Sequence, residues 1–249
     1  MKQLMDRVRI EAGALLGSAL AFVVFFVLAA RAYPGGTHFD HASRGHDFWR
    51  NTLCDVARTM AIDGRPNASA CTLARVAMIT LALGLGVLFA ALPRLFPARP
   101  RLGTCVRLLG AATVPFAVAV VLLPTDRFGH LHGVAIVLAG TLGLSALLLA
   151  LAGLFAEARA PRHVVSLGVI TMSVAAVDFA LYVVEFASQG PAQLAVPVLE
   201  RLATLLVLAW MAAVARAVHR LRVPSLDGGL LAADLRVVDR EIVEPGHER

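Results

Sequence analysis

Six apolar stretches, each long enough to cross a lipid bilayer, constrain the fold of this chain more than any other feature. A bilayer core about 30 Å thick requires about 20 residues of helix at a rise of 1.5 Å per residue. Because no water reaches that core, each segment must satisfy its own backbone hydrogen bonds, which predicts helices. The sequence therefore predicts an all-α polytopic membrane protein whose transmembrane domain, residues 1–222, contains spans at 12–33, 72–96, 104–124, 130–155, 163–187 and 194–218.

The composition supports a membrane protein and excludes other classes. Hydrophobic residues make up 58% of the chain and charged residues only 16%, whereas soluble domains carry about 25% charged residues. The net charge of +6 does not indicate a nucleic-acid partner, because the basic residues lie beside the apolar runs, where they act as topology signals. Lys2 is the only lysine, which excludes a Schiff-base lysine inside the membrane.

The distribution of basic residues predicts the orientation of the chain. Positive residues are enriched in cytoplasmic flanks, and here they occupy alternate flanks: Lys2, Arg7 and Arg9; Arg94, Arg99, Arg101 and Arg107; Arg159 and Arg162; Arg216, Arg220 and Arg222. This pattern predicts a bacterial cytoplasmic membrane protein with both termini in the cytoplasm. Residues 223–249 are then a short cytoplasmic tail, and the long connection between Tyr33 and Cys71 lies outside.

The external connection contains a stretch, His46–Met60, in which polar residues recur at helical spacing. Asp47, Asn51 and Asp55 fall on one face, which predicts an amphipathic helix at the outer interface. Its polar face is either a solvated surface, with an aromatic anchor in the headgroup region, or part of the lining of an outward-facing pocket. Cys54 and Cys71 are candidates for a disulfide if this connection faces an oxidising compartment.

The run FWRNTLCDVARTMAIDGRPNASACTLARVAM and the later run PTDRFGHLHGVAIVLAG resemble the bacterial six-helix membrane proteins grouped as domain of unknown function 998. The resemblance covers most of residues 13–215 and implies a fold and a location, but no reaction. The tripeptide Cys54-Asp55-Val56 departs from the Ser-Asp-Leu-like pattern of that family. The positions that match the family motifs are Asn51, Asp55, Gly64, Pro66, Asn67, Pro124, Thr125, Asp126 and His132.

Charged residues inside the last two spans require partners or a role, since insertion of a charge at the bilayer centre costs at least about 2.5 kcal/mol. Asp178 and Arg201 are predicted at similar depths, about 15 Å from the outer end of their helices. Two interpretations follow. Asp178 and Arg201 form a structural ion pair, or Asp178 belongs with Tyr182 and Glu185, at i+4 and i+7, to a polar site that descends from the outer surface.

The pair His130 and His132 is a weaker candidate for a metal site. On a helix, side chains two residues apart diverge by about 200°, so both bind one ion only if the helix begins after His130. A zinc ion held there, with Asp178, would support an intramembrane hydrolase of lipid amides or esters. Apart from this zinc alternative, the sequence indicates no cofactor.

These observations combine into an expected outward-facing polar cavity. We expect it to bind or move a small molecule, a lipid headgroup or a proton, in contact with the lipid bilayer. The alternatives are the zinc-dependent hydrolase and a structural partner of another membrane protein. The residues predicted to form the cavity are Asp47, Asn51, Asp55, Asp126, His132, Asp178, Tyr182, Glu185, Glu200 and Arg201.

Overall fold

Each predicted span is a helix in the computed structural model, which describes residues 2–188, 190 and 192–221. The six long helices are long and apolar enough to cross a membrane, which confirms an all-α multi-pass membrane protein. The predicted tail, 223–249, lies outside the described residues. The helices are α1 (Lys2–Ala32), α2 (Leu53–Val56), α3 (Ala68–Ala91), α4 (Pro100–Leu122), α5 (Thr125–Phe155), α6 (Arg162–Ser188) and α7 (Ala195–Arg220).

Five of the six long helices begin earlier than the apolar runs on which the prediction was based; α7 begins one residue later. α5 begins at Thr125 rather than at residue 130, and Gly129 interrupts it with non-helical angles, φ 36° and ψ −98°. The positive φ is in the region that favours glycine. α4 begins at Pro100, a first-turn position where the missing N–H costs nothing. Polar residues near the interface therefore extend the helices beyond the apolar segments.

The long helices pack in chain order around a ring. Consecutive long helices contact each other from α1 through α3, α4, α5 and α6 to α7, and α7 packs back against α1. The residues between α1 and α3, 33–67, form a long loop at one end of this ring, which we call the loop end. Apolar side chains from Leu15, Phe89, Leu154 and Met211 form a core toward the opposite end.

A second core attaches the long loop to the bundle. Tyr33, Leu53 and Val56 of the loop pack with Phe26 of α1 and Ala74 of α3. The loop also contains an unpredicted antiparallel hairpin of β1 (Gly35–Thr37) and β2 (Asp40–Arg44). These short strands lack the alternating hydrophobic pattern by which strands are recognised from sequence.

The long loop does contain a helix, but its predicted extent over residues 46–60 is wrong. Only α2 is helical, and it begins with a capping box in which Thr52 and Asp55 bond each other's backbone N–H. The Asp47 side chain accepts hydrogen bonds from the N–H groups of Trp49 and Arg50. Short polar side chains that bond nearby backbone groups compete in this way with helix formation.

Candidate functional site

A cavity of about 800 Å³ lies within the ring of helices and extends to the loop end. The loop and helices α3 to α7 contribute its walls. Along α7 the lining runs from Val196 to Trp210, about 20 Å at helical rise. At the loop end it includes His38 and Arg50, whose side chains are 42% and 52% exposed. The cavity thus connects the surface at the loop end with a deep part of the bundle.

Polar and apolar groups occupy different parts of this cavity. The end near the loop contains the side chains of Asp55, Asp178, Tyr182, Glu185 and Glu200. The deep part is lined mainly by aliphatic and aromatic side chains, which include Leu88, Phe89, Val207, Leu147 and Trp210. The cavity therefore matches the shape and polarity of an amphiphile.

Asp178 is the carboxyl group of the cavity with the fewest hydrogen-bond partners among the described residues. Its Oδ1 atom is buried and has no hydrogen-bond partner among the described residues. Tyr182 and Glu185 follow it on the same face of α6, because residues four and seven positions apart on a helix are neighbours. The Glu185 carboxylate accepts a hydrogen bond from the backbone N–H of Gln193, at 3.3 Å.

The predicted ion pair between Asp178 and Arg201 is not formed. Arg201 instead donates from Nη2 to the carbonyl of Asn51, at 2.7 Å, and from Nε to the carbonyl of Phe48, at 3.1 Å. Its guanidinium also lies over the rings of Phe26 and Phe48, at 5.1 and 5.5 Å from their centroids. Arg201 therefore holds the long loop, while its Nη1 atom makes no hydrogen bond within the described residues and lies 3.7 Å from Oε2 of Glu200.

Glu200 precedes Arg201 on α7 but points into the cavity, as expected from the 100° rotation between successive helical residues. Its Oε2 atom accepts a hydrogen bond from the backbone N–H of Leu53, at 2.8 Å. The same atom lies 3.7 Å from Nη1 of Arg201. Glu200 thus combines a place in the cavity wall with an anchor for α2.

Asp55 pairs with His38 across the long loop, with 3.2 Å between Oδ1 and Nε2. The hydrogen bond to Asp55 raises the pKa of His38 above its ordinary value. Burial alone would raise the pKa of Asp55, but hydrogen bonds from His38 and from the Thr52 backbone lower it overall. The two residues therefore favour a compensated ion pair at the cavity wall.

Three further predicted residues, Asp47, Asn51 and Asp126, hold the loop and do not line the cavity, whereas His132 does line it. Asn51 is fully buried; its Oδ1 accepts from the N–H of Asp47 and its Nδ2 donates to the carbonyl of Gly36. Asp126 accepts hydrogen bonds from the N–H groups of Thr59 and Met60 and from the Thr59 hydroxyl. Asn51 and Asp126, which were also named from the family resemblance, thus attach the loop to itself and to α5.

His130 and His132 point in different directions after the break at Gly129. Nδ1 of His132 lies 2.8 Å from the carbonyl of Leu123 and 3.1 Å from that of Val120. The ring of His130 stacks on Phe186, with centroids 5.1 Å apart. Within residues 2–188, 190 and 192–221, no group of three His, Cys, Asp or Glu side chains has the arrangement of a metal site.

Cys54 and Cys71, considered for a disulfide, are free thiols. The Cys71 thiol donates to the carbonyl of Ala57, at 3.1 Å. Cys54 lines the cavity, and burial raises the pKa of its thiol. The loop is therefore held by hydrogen bonds and packing at these positions.

One loop residue and two aromatic residues of α6 that line the cavity were not identified from the sequence. Arg50, Phe179 and Phe186 all line it. A signal was present, since Gly133 and Gly140 on α5 have the same spacing as Phe186 and Phe179 on α6. A Cβ atom at Gly133 or Gly140 would collide with the ring of Phe186 or Phe179, respectively. These glycines allow the phenyl rings to lie against α5.

The environment of His46 makes stability depend on pH. Burial and the nearby Arg201 guanidinium lower the pKa of His46 from 6.5 to about 4. The unfolded chain therefore takes up a proton at pH values where folded His46 stays neutral. We expect the contribution of neutral His46 to the free energy of unfolding to be complete above pH 6.5. This contribution should be lost as the pH falls from 6.5 toward about 4. Thermal unfolding in detergent across this range measures the loss.

The variant His46→Gln should show a weaker fall in unfolding temperature over the same range, because glutamine takes up no proton. His41→Gln is the matched control, since His41 is an exposed residue of the hairpin in the same loop. It should retain the wild-type pH dependence. Equal pH dependence of His46→Gln and the wild type would contradict the assignment to His46.

A comparison of the chain with family models, with curated proteins and with solved structures finds no match. What the chain does is therefore argued from the cavity and from the residues that form it.

Proposed function

We propose that this protein binds an amphiphilic small molecule or lipid in the cavity, with the polar head at the loop end and the apolar chain in the deep part. The observation that supports this most strongly is the division of one cavity of about 800 Å³ into a carboxylate-lined end and an apolar end. Ligand sites are typically concave and mostly apolar, with few polar groups that fix orientation.

The length of the apolar part supports a chain-shaped ligand. Gly168 lies against the indole of Trp210, since a Cβ atom built on it would be 3.1 Å from that ring. Asp178 and Gly168 are ten residues apart on α6, which corresponds to about 15 Å. An extended dodecyl chain has a comparable length and would reach from Asp178 to Trp210.

The membrane location and orientation are part of the same proposal. The basic flanks favour a bacterial cytoplasmic membrane, with both termini in the cytoplasm and the long loop outside. The cavity would then open to the external face and receive ligand from there or from the outer leaflet. The proposal includes membership of the family grouped as domain of unknown function 998, which the quoted motifs support.

Quenching of Trp210 fluorescence tests whether a chain enters the cavity. The chain has two tryptophans, so a Trp49→Phe background leaves Trp210 as the only reporter. Trp210 is 1% exposed and lies in the cavity wall, so surrounding lipid does not reach it. We expect ω-bromododecanol and ω-bromododecylamine to quench Trp210 in a saturable manner. Linear, non-saturating quenching by every probe would contradict the proposed function.

Gly143→Leu should abolish this quenching by filling the deep part of the cavity. Gly143 lines the cavity, and a Cβ atom there meets only Thr113, at an ordinary contact distance of 3.4 Å. Gly17→Leu is the matched control, because nothing lies within 4 Å of a Cβ atom at that position. The control should retain saturable quenching, and equal quenching in both variants would contradict the assigned path of the chain.

A further inference from the structure

We infer that the head of the bound amphiphile carries a cationic nitrogen, as a protonated amine or an ammonium group. This inference rests on the proposed function and assigns the chemical class of its ligand. It follows from the balance of charges around the polar end of the cavity, taken one group at a time.

Three carboxylates from two adjacent helices line this end: Asp178, Glu185 and Glu200. Glu200 is compensated, since it lies 3.7 Å from Arg201 and accepts a hydrogen bond from the Leu53 N–H. Glu185 accepts one backbone hydrogen bond. Asp178 makes no hydrogen bond within the described residues, and its Oδ1 atom is buried. Among the described residues, Asp178 thus lacks the kind of hydrogen-bond donor that Glu185 and Glu200 each have.

The cationic side chains near the cavity are already engaged or lie at its rim. His38 is paired with Asp55. Arg201 is 3% exposed and bonds the carbonyls of Phe48 and Asn51. Arg50 is 52% exposed, and its Nε lies 3.8 Å from Asp47. Each of these three cations therefore has a carboxylate or carbonyl partner other than Asp178, and His130, which also lines the cavity, stacks on Phe186.

A cationic head would complete the site in two ways. A buried carboxylate without a donor is costly, and a charge-assisted hydrogen bond from an N–H is among the strongest partners it can take. The rings of Tyr182 and Phe186 stack beside Asp178 and Glu185 along α6, with centroids 6.2 Å apart. Aromatic faces attract cations. An anionic head would meet repulsion from three carboxylates at the same place.

Three probes with one chain and different heads test the inference: ω-bromododecylamine, ω-bromododecanol and ω-bromododecanoate at neutral pH. In the Trp49→Phe background, we expect the amine to quench Trp210 with an affinity about tenfold higher than the alcohol, and the carboxylate to bind more weakly than both. Equal affinities, or a preference for the carboxylate, would overturn the cationic class while the proposed function stands. Absence of saturable quenching by all three would instead contradict the proposed function itself.

Asp178→Asn separates charge recognition from cavity structure. The variant should lose most of the preference for the amine while it retains the affinity for the alcohol, which reports an intact cavity. Glu157→Gln is the matched control, because Glu157 lies in the α5–α6 connection at the opposite end and its replacement removes the same charge. It should keep the tenfold preference. An unchanged preference in Asp178→Asn would overturn the role of Asp178.

Discussion

Replacement of Arg201 by alanine is expected to detach the long loop from the bundle and to destabilise the protein by about 3–5 kcal/mol, the range for loss of one partner of a buried charged network. The Arg201 side chain is 3% exposed and donates to the carbonyls of Phe48 and Asn51. The variant removes the donor to these two carbonyls and the guanidinium that lies 3.7 Å from the Glu200 carboxylate. Unsatisfied buried polar groups account for much of the expected loss.

Thermal unfolding and limited trypsin digestion measure the two parts of this result. The long loop contains Arg44, Arg50, Arg58 and Arg65, so release of the loop should accelerate cleavage within residues 33–67. Arg216→Ala is the control, since Arg216 is an exposed arginine on the same helix. It should change stability by less than about 0.5 kcal/mol. A stable Arg201→Ala protein with wild-type digestion would contradict the role of Arg201 in holding the loop.

Leucine at Gly140 and leucine at Gly143 are expected to have opposite effects on stability, although the two glycines are three residues apart on α5. A Cβ atom at Gly140 would occupy the place of the Phe179 ring, and overpacking of this kind costs about 1–3 kcal/mol. At Gly143 the nearest atom is the Thr113 Cγ2, at 3.4 Å. Replacement of a mid-helix glycine there should contribute up to about 1 kcal/mol through helix propensity.

Denaturant or thermal unfolding of the two variants in the same detergent checks this contrast. Gly143→Leu should be the most stable of the three proteins, the wild type should be intermediate, and Gly140→Leu should be the least stable. Phe179→Ala should partly rescue Gly140→Leu by removing the ring, which a nonspecific effect of leucine in α5 would not explain. Equal destabilisation by both substitutions would contradict the packing of α6 against α5.

The helices could be predicted from sequence because each apolar segment in a bilayer must satisfy its backbone hydrogen bonds within itself. Backbone hydrogen bonds within a span involve residues four positions apart, so local composition was sufficient. The long loop could not be predicted in this way. Its contacts with Arg201 join residues 150 and 153 positions apart, and the observed caps at Asp47 and Thr52 replaced the expected continuous helix.

The polar site was only partly predictable, because part of it depends on contacts between residues that are distant in sequence. Asp178, Tyr182 and Glu185 were recognised from helical spacing on one element, and they do line one cavity. The predicted ion pair between Asp178 and Arg201 was wrong because the prediction compared only the depths of the two residues along their helices. It did not consider the directions in which their side chains point around the helix axes. Arg201 faces α1 and the loop, where its guanidinium lies over Phe26 and its Nε and Nη2 donate to the carbonyls of the loop. Within the part of the chain that the structure describes, Oδ1 of Asp178 is left without a hydrogen-bond partner.

A structure of the protein with bound ω-bromododecylamine tests the central claim most directly, since anomalous scattering locates the bromine independently of the fitted chain. The account predicts a bromine peak beside Trp210, continuous density through the deep cavity, and the amine beside Asp178. Bromine peaks confined to the exposed face of α1, around residues such as Leu20 at 66% exposure, together with a cavity that contains no chain density, would contradict it.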